Sequence, residues 1–192
     1  MHRAAVLRLL LEHAELPLSN EEAFAVEETI SFVGAHPDCL LRTCLEGHLT
    51  GSAWILSPDR QRTLLTHHNK LGKWLQLGGH ADGDPDLLAV ALREAREESG
   101  LSRLEPVAAR PFDVDRHWIG ERGAEPGHWH HDIRFMIEAD PSEPLTISNE
   151  SKDLSWVDLS SVEALNPEES MARMVRKTQA LGGRQRGGER QR

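Results

Sequence analysis

Residues 77–101 read LGGHADGDPDLLAVALREAREESGL, and this one segment dictates a helix, its ends and the side it must bury. Asp84 is placed as an N-cap, Pro85 sits in the first turn and Gly100 stops the helix, each at a position favoured by backbone geometry. At about 100° per residue, Leu88, Ala91, Leu92 and Ala95 fall on one stripe that needs a second layer to cover it. An adjoining arc gathers Glu94, Glu97 and Glu98. Like charges at these separations repel by roughly a few tenths of a kcal/mol per pair on an open helix, and by more beside a cleft of lower dielectric. Two readings remain open: a solvated acidic face, or oxygen ligands for a hard divalent cation, for which Mg²⁺ or Mn²⁺ is the natural candidate.

The covering layer comes from short β-prone runs, GSAWILS, TLLTHH and KWLQL before the helix and PFDVDRHWI, HWHHDIRFMIEA, LTIS and LSWVDL after it. Asn166-Pro167 then opens a last helix, PEESMARMVRKTQAL. Two helices precede the strands. MHRAAVLRLLLEHAEL is amphipathic, its apolar run broken by Arg8 and Glu12, and reads as neither signal nor membrane anchor. In SNEEAFAVEETISFVGAH, Ser19 is the N-cap with Glu22 three residues on, Phe24, Ile30 and Val33 are apolar, and Gly34 terminates. The expected class is therefore α+β, a mixed sheet with helices. Residues 1–44 form an N-terminal helical extension, 45–181 the main domain and 182–192 a disordered basic tail.

Charge narrows the function. With 22 basic against 31 acidic residues the chain carries a formal charge of -9, which argues against a broad nucleic-acid footprint or an anionic-membrane binder. An anionic substrate then needs a metal or local bases. Cys39 and Cys44 fit neither a zinc knuckle nor a redox pair and read as reduced thiols, so a cytoplasmic location is expected.

Taken whole, the stretch from Gly79 through Arg93-Glu94-Ala95-Arg96-Glu97-Glu98-Ser99-Gly100-Leu101 closely resembles the Nudix box, the loop-helix-loop signature of Nudix hydrolases. One position departs: Pro85, between Asp84 and Asp86, stands where the family pattern has a glutamate that helps hold the loop and the box arginine. The resemblance extends more loosely over residues 45–181 and implies an α/β/α sandwich around a mixed sheet. It also implies Glu94, Glu97 and Glu98 as metal ligands or base, Gly79 as a carbonyl ligand, and Arg93 as the residue orienting Glu94. Glu150, in ISNESKDLSW, resembles an acidic position preceding a tryptophan-containing strand in the family and is a further candidate base.

A second constellation lies outside the box. Period-two alternation puts Asp113, Asp115 and His117 on one face of the first run, and His128, His130, Asp132 and Arg134 on one face of the second. The opposite faces carry Phe112, Val114 and Trp118, then Trp129, Ile133, Phe135 and Ile137, an expected core side. The polar face is either solvated or borders a cleft. In the second case His128 and His130 hold phosphate or a further metal such as Zn²⁺, Arg134 grips an anion, and His117 and Asp115 lie beside them.

These readings converge on a metal-dependent hydrolase that cleaves a diphosphate linkage in a nucleoside diphosphate joined to another moiety, or in a related organic pyrophosphate. Two alternatives stand beside it: an enzyme like isopentenyl diphosphate isomerase, a Nudix-fold relative, and a Nudix-fold module that binds a nucleotide without cutting it. The expected partner is a small nucleotide or organic pyrophosphate, with neither nucleic acid nor membrane, and a homodimer is the assembly the fold suggests.

Overall fold

The computed structural model describes residues 2–69, 71–121, 123, 126–148 and 151–188, with 182–188 as backbone alone. In chain order the elements are α1 (His2–Ala14), α2 (Asn20–Ala35), β1 (Gly47–Leu56), β2 (Arg62–His68), β3 (Trp74–Leu75), β4 (Leu77–His80), α3 (Leu87–Ser99), β5 (Glu105–Pro106), β6 (Asp113–Ile119), β7 (His128–Glu138) and β8 (Ser151–Asp158). A 3-10 turn at Leu159–Ser161, α4 (Val162–Leu165) and α5 (Glu169–Gly188) complete the chain. The expected α+β class is what forms. No helix among the described residues is long and apolar enough to cross a membrane.

Two compact units share these elements, the first comprising Met1–Ala53, Gly78–Ala95 and Pro106–Met136, the second Trp54–Leu77, Arg96–Glu105 and Ile137–Arg192. In the first unit β6 and β7 form an antiparallel ribbon whose register pairs Asp113 with Arg134, Asp115 with Asp132 and His117 with His130. That register sets the polar residues of both strands on one face, as alternation requires. The other face is covered by α2: Phe32 stacks on His131 at 4.2 Å, and the Thr29 hydroxyl lies 2.9 Å from His131 Nδ1. Ser19 caps α2 by accepting the Glu22 amide at 3.2 Å. The buried Glu22 carboxylate lies 2.8 Å from His13 Nε2 and accepts the Val114 amide at 3.3 Å. Gly34 lies inside α2, which runs on to Ala35.

Helix α1 packs on α2 through Val6 and Leu10, both fully buried, and Arg3 donates to the Val33 and Gly34 carbonyls at 3.0 and 3.1 Å, satisfying the last turn of α2. Burial of each such side chain stabilises by about 1.5–3 kcal/mol, which ties α1 to α2. Phe24, expected on the apolar side, is 58 % exposed; Ala25, Val26, Thr29 and Val33 make the buried stripe instead. Trp118 is also misplaced by alternation alone. It is 54 % exposed near the end of the ribbon, where Trp129 meets it edge-on at 5.2 Å.

In the second unit β2 is flanked by β3, by the end of β1 through Leu56 and Thr63, and by β8, which pairs from Arg62–Asp158 to His68–Ser151. Leu64 and Leu65 are fully buried, as are Met171 and Met174 of α5. Trp54, at 0 % exposure, satisfies its indole N–H on Thr178 Oγ1 at 3.0 Å. Residues 145–148, expected as a strand, form none: the Thr146 amide goes to the Ser99 carbonyl at 2.8 Å. Helix α5, expected to stop at Leu181, continues to Gly188, so the first part of the expected disordered tail is helical.

Candidate active site and histidine cluster

The box helix starts later than the sequence suggests. Asp86, not Asp84, caps it, its carboxylate accepting the Ala89 amide at 3.0 Å, while Asp84 accepts the Asp86 amide at 2.9 Å. With Pro85 between them, both aspartates thus hold the loop and the helix start. At the far end Gly100, with φ +73°, takes the left-handed conformation that closes a helix, donating to Arg96 O at 2.8 Å. The buried stripe is Leu87, Val90, Ala91 and Ala95, one position earlier than expected at its start.

Within the first unit, Glu94 and Gly79 meet. A Cβ on Gly79 would lie 2.4 Å from Glu94 Oε2, so only glycine lets this carboxylate rest on the β4 backbone. Arg93 Nη2 donates to Glu94 Oε1 at 2.8 Å and to the His80 carbonyl at 3.1 Å, tying the carboxylate to the strand that carries Gly79. The Glu94 side chain remains 20 % exposed. Glu97 and Glu98 occupy the next turn of α3, the first exposed and the second half-buried. Glu150 lies outside the described residues.

Part of the polar face of the β6–β7 ribbon is closed to solvent: Asp113, Asp132 and Arg134 are 0, 1 and 2 % exposed, while the His117 side chain is 40 % exposed. Arg134 donates to Asp132 at 2.8 Å, Asp115 at 3.1 Å and Asp113 at 3.2 Å. Burial alone would lower its pKa, but Asp115, Asp132 and Asp113 outweigh that and hold it above the usual arginine value. Thr50 and Ser52 donate to Asp132 at 2.8 and 2.7 Å. The expected anion grip at Arg134 is therefore corrected: its guanidinium is engaged by carboxylates on three sides.

His128 and His130 do come together, with a residue the sequence did not single out. His130 Nε2 lies 3.1 Å from His48 Nε2 and 3.2 Å from His128 Nε2. The His80 and His117 rings flank His130, with centroids at 5.0 and 5.4 Å, and His117 Nδ1 is 3.6 Å from Asp115. Burial first, then the neighbouring His117, His80, His48 and His128, push His130 down to about 2; burial, Arg42 and His48 push His80 down to about 4. The His130 and His80 rings are therefore neutral near pH 7. His48 carries no local signal, since its meeting with His130 spans 82 residues of sequence. His80 was not singled out either, although it adjoins Gly79.

Residues 48–178 match the family model of the NUDIX domain. Among curated proteins no sequence matches. Solved structures with similar folds include a NUDIX-family hydrolase from Clostridium perfringens, 23 % identical, covering 70 % of this chain and 97 % of its own, at a TM-score of 0.52. The E. coli dihydroneopterin triphosphate pyrophosphohydrolase is 16 % identical and covers 66 % of this chain and 91 % of its own, at a TM-score of 0.54. The NUDIX domain of Shewanella oneidensis NrtR, complexed with ADP ribose, is 17 % identical and covers 80 % of this chain and 97 % of its own, at a TM-score of 0.51. The domain match extends over most of the chain and includes the glycine-backed, arginine-held carboxylate of α3: the chain belongs to the Nudix family of pyrophosphohydrolases.

Proposed function

We propose that the chain is a divalent-metal-dependent hydrolase that cleaves the diphosphate linkage of a nucleoside diphosphate joined to another moiety, or of a related organic pyrophosphate. One observation carries this reading: the Glu94 carboxylate rests on the Gly79 backbone and is held there by Arg93. Glu94, with Glu97 and Glu98 on the following turn, offers oxygen donors alone, which fits Mg²⁺ or Mn²⁺. The bound cation would supply charge neutralisation of the phosphates and a more acidic water. Arg93 fixes the Glu94 rotamer by bridging it to the His80 carbonyl. A carboxylate takes the proton of the attacking water; Glu94 and Glu98 rank first, Glu150 after them. The water oxygen bonds to phosphorus, the anhydride P–O bond breaks, and two phosphorylated fragments leave.

The names of the solved neighbours support an anhydride substrate, since a triphosphate ester and ADP ribose both contain one. An isomerase reading based on a reactive cysteine has less support. Burial above all pushes the Cys39 thiol up to about 11 and raises that of Cys44, so both stay protonated.

The test is a panel of nucleoside diphosphate conjugates and organic pyrophosphates incubated with purified protein and Mg²⁺ or Mn²⁺, with products read by mass. Phosphorylated fragments from at least one member, lost in Glu97→Gln and Glu98→Gln, are the expected result. Tight binding with every ligand recovered intact would replace the hydrolase by a binding module, and a product of unchanged mass would indicate isomerisation.

A further inference from the structure

We infer that His48, His128 and His130 form a second metal site, a three-imidazole site for Zn²⁺ that is chemically separate from the oxygen donors of the box. One ligand atom from each of the three lies within 4.8 Å of the other two. His128 Nδ1 is 2.9 Å from the Pro126 carbonyl, which only accepts, so Nδ1 carries a proton and the lone pair this ring can offer a metal is that of Nε2. That lone pair meets His130 Nε2 at 3.2 Å, while His48 Nε2 meets the same atom at 3.1 Å.

Protons alone do not resolve this contact. A ring nitrogen holds either one proton or one lone pair along its in-plane direction, so His130 Nε2 satisfies one neighbour and not both. If it is protonated, its one proton is shared between the two facing rings; if it is bare, it faces the His128 lone pair. A cation between the rings satisfies every nitrogen at once. Tetrahedral zinc with Zn–N bonds of about 2.0–2.1 Å sets ligand nitrogens about 3.3–3.4 Å apart, within a few tenths of an ångström of both separations seen here. The carbonyl behind His128 is the outer partner that fixes a ligating imidazole in the correct tautomer.

Donor type selects the metal. Imidazole nitrogens suit Zn²⁺ and its transition-metal neighbours, whereas Mg²⁺ requires oxygen. His48 and His128 are 3 and 4 % exposed, which shields the site from bulk water, and three protein ligands leave a fourth position for a water molecule. The His80 and His117 rings pack around His130 without joining the ligand set.

The full-length chain, stripped with chelator and desalted, should bind about one equivalent of Zn²⁺. Co²⁺ added in its place should develop the intense visible ligand-field absorption of a four-coordinate site, and Zn²⁺ should abolish it. His48→Ala and His130→Gln should each weaken Zn²⁺ binding by about 100-fold or more, while His117→Ala and Glu97→Gln bind as the parent chain does. Loss of hydrolysis in Glu97→Gln with zinc retained separates this site from the box. Absence of the cobalt absorption in the unmutated chain, a reading that no variant's folding affects, overturns the inference. So does zinc held equally by the folded His48→Ala and His130→Gln variants.

Discussion

The β4–α3 junction and the β6–β7 ribbon both concentrate charge, and they treat it in opposite ways. At the junction, Glu94 has one guanidinium at its side and keeps a fifth of its side chain open to solvent. On the ribbon, Arg134 is 2 % exposed and enclosed by Asp113, Asp115 and Asp132. On the proposed function, the charge that is to meet a cation stays accessible to solvent, whereas the charge that organises a core is enclosed by carboxylates.

The contrast is most sharply broken by Arg134→Met. Removing this guanidinium takes the shared partner from three carboxylates at a buried site, and the expected destabilisation is about 3–5 kcal/mol, read from chemical denaturation. A variant as stable as the parent would show that the cluster is not an architectural ion pair. Next in size, Glu97→Gln should lower kcat by about 100-fold, equivalent to about 2.7 kcal/mol of barrier, with little change in melting temperature. If melting and kcat fall together, Glu97 belongs with the ribbon class. Arg93→Ala should reduce kcat by about 10-fold, through loss of the tether on Glu94, and Arg93→Lys should recover part of it.

The smallest effect concerns pH. Burial first, then Arg116, pushes His131 down to about 3, from an ordinary value of 6.5. Its protonated form is thus favoured in the unfolded chain. The stability it contributes is complete above pH 6.5 and declines as pH falls from there toward 3, at about 1.4 kcal/mol per pH unit at most. His131→Gln should flatten this acid limb of the melting curve. An unchanged limb would assign it to other groups.

The junction was legible because its chemistry is contiguous: a glycine, a capped helix and carboxylates three and four residues apart all fall between Gly79 and Gly100. The ribbon was half legible. Alternation sorts Asp113, Asp115, His128, His130 and Arg134 onto one face, but period two says nothing about what lies over either face. Helix α2 covers one of them, and Thr50 and Ser52 of β1 reach the other, so part of the polar side is buried as well. His48 could not have been found from its own strand, because its significance arises from a partner 82 residues away. Ser19 announced its cap, yet nothing in SNEE revealed that Glu22 would turn to His13.

The seat of Glu22 sets a lower limit on what can be cut away. The family match begins at residue 48, but the Val114 amide and the His131 ring are served from residues 22 and 29. A chain trimmed to the matched stretch would lose the Glu22 carboxylate that bonds the Val114 amide and the Thr29 hydroxyl that meets the His131 ring. A piece that is to keep these two hydrogen bonds therefore starts ahead of α2, so the border of the recognisable signature is not the border of the ribbon's bonding.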